Sequence, residues 1–182
     1  ARPFDKTYQT AGFAANGEDN FLLYYHATKG TTDLEQLKLD VLSPDGEVLS
    51  SNSLEADFDQ FAGGIVQLDD GSYWLLAEAR LYEENNYSDL RLLQYDGGEV
   101  ANVYTYDNFR YEVVSPAIVQ SGPNQVSFVA GGHDDHYGED QLSVITVDLT
   151  AGAVISTIEL TGFDVTYDYL FFTEGGDGVY LL

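Results

Sequence analysis

Cysteine and methionine are both missing from these 182 residues. Without Cys there are no disulfides, thiol nucleophiles, zinc–thiolate centres or iron–sulfur clusters. Basic side chains are almost as scarce: 7 Lys and Arg stand against 31 Asp and Glu, a net charge of −24. Such a surface repels nucleic-acid phosphate and anionic lipid, and it favours cations and cationic partners. No apolar run reaches the length of about 18 residues that a membrane-spanning helix needs. There is no signal-peptide pattern. Pro is rare, with 4 residues, and no Pro/Ser-rich tract divides the chain. Disorder does not explain the acidity, because 44% hydrophobic and 14% aromatic residues supply a core. The chain opens on Ala1 inside a repeat, which points to a processed precursor. An extracytoplasmic location is expected, whether secreted, periplasmic or cell-surface.

What the chain has is a repeat. Phe13, Ile65, Ile118 and Phe171 anchor four similar segments, at spacings of 52, 53 and 53. Each segment opens on a short apolar run, such as Gly64-Ile65-Val66-Gln67-Leu68, and then turns. Gly, Asn and Asp at the turns, as in Asp69-Asp70-Gly71 and Gly122-Pro123-Asn124, tolerate the left-handed backbone of tight hairpins. A second run follows, rich in aromatic and aliphatic residues: Phe21 to Tyr25, Tyr73 to Leu76, Val126 to Val129, Val179 to Leu182. Near-continuous apolar runs suit strands buried on both faces. A third motif, Leu34-x-x-Leu37-x-x-Asp40, recurs as Leu90-x-x-Leu93-x-x-Asp96 and Leu142-x-x-Ile145-x-x-Asp148. A Gly-bearing turn then leads to a fourth run at Val48, Val100 and Val154. Each of the three Asp is expected to bond the backbone of the turn that follows. No segment keeps a helical apolar stripe over a dozen positions.

Strand repeats of about 50 residues are the signature of β-propeller blades. The expected fold is all-β: one repeat domain over 1–182 of four-stranded antiparallel blades, with units near 12–61, 62–114 and 115–168 and a half unit at 169–182. About three and a half blades cannot close a ring. The chain is therefore expected to be a fragment of a longer propeller, to self-associate, or to be completed by further strands.

The densest polar cluster runs His133-Asp134-Asp135-His136-Tyr137-Gly138-Glu139-Asp140. Its carboxylates Asp134, Asp135, Glu139 and Asp140 suit the oxygen-rich shell of Ca²⁺. Its paired His suit a transition metal, and the same residues also make a plain solvated loop. Repeat logic places this loop on one end with the segments after His26 and Glu78. That end would gather His26, Glu78, Arg80, Tyr82, His133 and His136 as candidate ligand-binding residues. Tyr and His among carboxylates suit sugars or peptides through stacking and hydrogen bonds. Arg110 departs from a slot that holds Asp5, Asp59 and Asp164 elsewhere, where it could pair with a carboxylate. No G-x-S-x-G and no G-x-x-x-x-G-K is present, so no serine-hydrolase elbow or phosphate-cradling loop is expected.

The Asp- or Gly-rich turn, apolar strand and Gly-Glu-Val hairpin resemble bacterial secreted β-propeller repeats of about 50 residues. The resemblance implies architecture and carries no functional residue. The expected role is a non-catalytic binding or assembly module with a glycan, peptide or protein partner. Two alternatives stand beside it: a carbohydrate-active enzyme using loop carboxylates, and a structural subunit polymerising through open strand edges.

Overall fold

The structure is a computed structural model that describes residues 11–16, 20–28, 35–54, 59–80, 88–96, 99–109, 118–134, 139–160, 172–175 and 178–181. These form fourteen strands and, among the described residues, no helix. The first sheet has β1 (Ala11–Asn16), β2 (Asn20–Thr28), β3 (Glu35–Leu42) and β4 (Val48–Leu54). The second has β5 (Asp59–Gln67), β6 (Tyr73–Arg80), β7 (Ser88–Asp96) and β8 (Glu99–Phe109). The third has β9 (Ile118–Gly122), β10 (Gln125–Asp134), β11 (Glu139–Asp148) and β12 (Ala153–Leu160). β13 (Phe172–Gly175) pairs with β14 (Gly178–Leu181). Each four-stranded sheet is an antiparallel meander in chain order, so each is one blade. The start of β5 at Asp59 sets the second blade between the 55–58 segment and Phe109.

The blades stack through their faces, with first strands innermost: β1 lies against β5, β5 against β9, and β9 against β13. Period-2 alternation makes this possible, because successive side chains leave a strand on opposite faces. On β6, Tyr73, Leu75 and Ala77 join Leu22, Tyr24, Leu37 and Leu39 of the first blade in one core. Trp74 and Leu76 of the same strand join Val126, Phe128, Ile145 and Val147 of the third blade in another. A near-continuous apolar run is therefore what a blade with neighbours on both sides requires, and residues 73–78 and 126–130 are all buried. β2 instead alternates between buried and half-buried positions.

Polar contacts fix the seams. The Tyr24 hydroxyl donates to the Leu76 carbonyl at 3.0 Å, and the Tyr73 hydroxyl to the Ala15 carbonyl. The Asp69 amide donates to Gln120 Oε1 at 2.9 Å, and Gln120 Nε2 donates back to Asp69 Oδ2 at 3.2 Å. Two glycines are required by close approach. A Cβ on Gly12 would lie 2.8 Å from Ile65 Cγ2 and 3.1 Å from the Ile65 nitrogen. Gly152 has φ +62 and sits against the Tyr104 ring, where a Cβ would come to 3.0 Å. Tyr104 in turn stacks on Trp74, 5.6 Å between centroids at 9°.

Cross-strand register corrects one reading of the repeat. Val48 pairs with Leu42, Val100 with Tyr95 and Val154 with Val147. Aligned on those pairs, Asp40 is equivalent to Leu93 and Ile145, three residues away from the slot of Asp96 and Asp148. Asp148 does cap its turn, accepting the amides of Thr150 and Ala151 at 2.8 Å each. Asp40 lies in mid-strand, 4% exposed, and accepts from the Tyr25 hydroxyl at 3.0 Å and from Ser51 Oγ at 2.5 Å. In register the slot of Asp96 and Asp148 is filled in the first blade by Ser43, which opens the Ser43-to-Glu47 turn. The Ser43 carbonyl accepts the Gly46 amide at 2.9 Å, and its hydroxyl accepts the Glu47 amide at 3.0 Å.

Candidate functional site

The strands define two ends. Short hairpins (43–47, 68–72, 149–152) make the turn end. The segments 29–34, 81–87 and 135–138 connect second to third strands at the other, the loop end.

The turn end is uniformly acidic. Asp45, Glu47, Asp69, Asp70 and Asp96 are exposed, and among the described residues no Lys or Arg lies in its hairpins. These acids do structural work. The Asp70 carboxylate accepts both the amide and the hydroxyl of Ser72, at 2.9 and 2.6 Å, and that hydroxyl lowers its pKa. A groove of about 380 Å³ opens here among Leu68, Asp69, Gln120 and Asn124. Its polar groups already engage one another across the seam, which marks it as a joint between blades.

The loop end differs. His26 pairs with Leu37, Glu78 with Leu90, and Gly131 with Leu142. The three occupy one register position on successive second strands. His26 is 1% and Glu78 3% exposed, and both side chains are engaged by neighbours. Strand parity sends each into the seam with the following blade: His26 shares the face of Leu22 and Tyr24, Glu78 that of Trp74 and Leu76. A histidine and a carboxylate thus stand at the same level in consecutive seams, near the end of the strands. Burying such groups is costly unless they are paired, so a polar rung here contrasts with the apolar rungs beneath it.

The opposing faces carry two residues that the sequence reading missed. Lys38, Arg91 and Ser143 share a register position one residue along from Leu37, Leu90 and Leu142, on the face toward the preceding blade. Arg91 falls in the first seam and is engaged. Ser143 falls in the second, 0% exposed, and its Oγ has no hydrogen-bond partner. The three-residue slip at Asp40 hid the equivalence of Lys38 with the other two.

The other expected site residues are placed only in part. Arg80 ends β6, opposite Asp59 and Ser88. His133 pairs with Asp140 and Asp134 with Glu139, at the tip of the β10–β11 hairpin. Tyr82, Asp135, His136 and Arg110 lie outside the described residues. Among the described residues no group of three or more His, Asp or Glu is placed to hold a metal ion. No described helix is long and apolar enough to cross a membrane.

No protein-family model matches the chain, and no curated relative matches its sequence. Solved structures do. A thermostable family-43 glycoside hydrolase superposes with TM-score 0.63 at 9% identity, over 96% of this chain and 64% of that one. A variant of the Synechocystis apocarotenoid oxygenase gives 0.51 at 12% identity, over 82% and 38%. A chimeric protein including that oxygenase gives 0.50 at 13%, over 82% and 38%. The chain therefore spans less than two thirds of the length of these proteins. Identities this low bear on the fold alone. With three four-stranded blades and a propeller neighbour over nearly its whole length, the chain has a β-propeller-type fold.

Proposed function

We propose that the chain is an extracytoplasmic, non-catalytic binding module that takes a glycan, peptide or protein partner at the loop end. One observation carries this: His26 and Glu78, buried at one register position in successive seams, form a polar rung beneath the most variable segments of the repeat. Binding residues concentrate on loops held by a rigid scaffold. The turn end, acidic throughout and knit to itself, offers no comparable set of groups. The scaffold shared with a glycoside hydrolase favours a glycan among the three partner classes. It also supports a second reading, a carbohydrate-active enzyme using loop carboxylates. Ca²⁺ held by Asp134, Asp135, Glu139 and Asp140 is part of the proposal, as is assembly with a second copy or further strands.

Titration calorimetry against glycan and peptide panels tests this. Saturable binding without turnover is expected. His133→Ala combined with Asp135→Ala, and separately Glu78→Gln, should weaken it at least about tenfold, a loss of about 1.4 kcal/mol. Asp69→Asn at the turn end should leave it unchanged. Binding lost only in the turn-end variant would overturn the reading. Product release abolished by one carboxylate-to-amide change would replace it with the enzyme. Bound Ca²⁺ should raise Tm, and no shift at millimolar Ca²⁺ would remove the metal from the proposal.

A further inference from the structure

The face of the first blade that looks away from the second breaks the pattern of the other two. In each blade one first-strand residue pairs with one second-strand residue in the middle of this front face: Phe13 with Leu23, Ile65 with Leu75, Ile118 with Phe128. Ile118 is 4% exposed, and Ile65 packs into the first inter-blade core. Phe13, at the same place, is 59% exposed. It stacks on Phe21, 5.0 Å between centroids at 22°, and Leu23 and Tyr25 beside it are only half-buried. The residue types are those of a blade seam. Among the described residues, what differs is that no sheet lies in front of them.

The local charge says what fits. Among the described residues, the charged side chains of this face, Lys38 and Asp40, balance each other. In a chain of net charge −24, a locally neutral surface is where another acidic copy meets least repulsion.

We propose that this front face docks a second copy of the chain, as the next seam in the series. Both internal seams join a front face to the back of the preceding sheet. The sheet with no described successor is β13–β14, so that sheet of the second copy is the occupant that continues the pattern. The contact is front-to-back, a heterologous joint between copies. This names the surface for the assembly part of the function above and is independent of the loop-end ligand.

Sedimentation velocity of the whole chain over a wide concentration range is the test, with calorimetry on the same samples. The wild type should exceed its 20.1 kDa monomer mass as concentration rises. Phe13→Lys should weaken association at least about tenfold, the effect of losing a central aromatic anchor. Phe13→Ser should act in the same direction. Both should keep the wild-type circular dichroism, since Phe13 is already exposed. Ile158→Lys, at a 56% exposed site on outermost β12, should change nothing. Ligand binding per chain should survive Phe13→Lys, so failure of the loop-end reading would show separately. A wild type that stays at monomer mass throughout, or an oligomer indifferent to Phe13→Lys, would overturn the proposal.

Discussion

Phe128→Ala is expected to lower the unfolding free energy by about 3–5 kcal/mol, the range for truncating a fully buried Phe. Phe128 is 0% exposed in the middle of β10, between Ile118 on one side and Ile145 on the other. Its ring belongs to the core that joins the second and third blades. Closely packed sheets relax only partly around a missing ring, so lost transfer energy and a residual cavity add together. Against a usual stability of about 5–15 kcal/mol, the loss is a large fraction of the whole. Phe13→Ala makes the internal comparison. It truncates the same residue type on the same kind of sheet face at an exposed position, and it should shift the monomer's stability by about 0.5 kcal/mol or less. Denaturant titrations at low concentration, where association does not contribute, measure both. Equal losses would mean that the seams are not packed as described.

Alkaline pH should weaken the other seam. Burial pushes the Tyr24 phenol far above its ordinary value, and burial also raises Tyr73 and Tyr95. All three belong to the core between the first and second blades, and Tyr73 and Tyr95 meet edge-to-face at 6.5 Å. The unfolded chain loses these protons near pH 10, while the folded chain keeps them. The unfolded state then binds fewer protons, so stability falls as pH rises. The contribution is intact below about pH 10 and drops above it by about 1.4 kcal/mol per pH unit for each phenol still protonated in the fold. Tyr24→Phe should remove one such increment from the alkaline slope. At neutral pH the same change should cost about 1 kcal/mol, for the hydrogen bond to the Leu76 carbonyl. An unchanged slope in that variant would show that Tyr24 ionises without opening the seam.

The architecture was largely legible in the sequence, and for a physical reason. Turn residues are fixed by backbone geometry, and core residues by the two-residue alternation of strands. Both recur wherever a blade recurs, so Phe13, Ile65 and Ile118 share a register position as their spacing implied. The third strand of the first unit was harder. Asp40 imitates the turn-capping Asp148 in spacing, yet it sits three residues earlier in the ladder, where Ser43 holds the slot of Asp148. The candidate site was legible only in part. His26 and Glu78 do share one level, but no pattern of hydropathy says that they are buried. Arg91 and Ser143 already match in the third-strand motif, but nothing in the sequence says that they face the seams. Binding groups differ from blade to blade by their nature, so a repeat cannot announce them.

Everything above depends on β1 and β5 lying side by side as neighbouring inner strands. The absence of Cys allows a direct measurement: Gly12→Cys with Ile65→Cys, oxidised in dilute solution. A Cβ at position 12 lies within bonding reach of residue 65, near the separation of about 3.5–4.5 Å between Cβ atoms that disulfides prefer. Replacing Ile65 also removes the methyl group that would clash, leaving the Ile65 nitrogen at 3.1 Å to give by a few tenths of an ångström. The account predicts an intramolecular disulfide, seen as loss of both free thiols at monomer mass. It also predicts a stability gain of about 2–4 kcal/mol on closing so long a loop. Thiols that stay free, or that pair only between molecules, would contradict it.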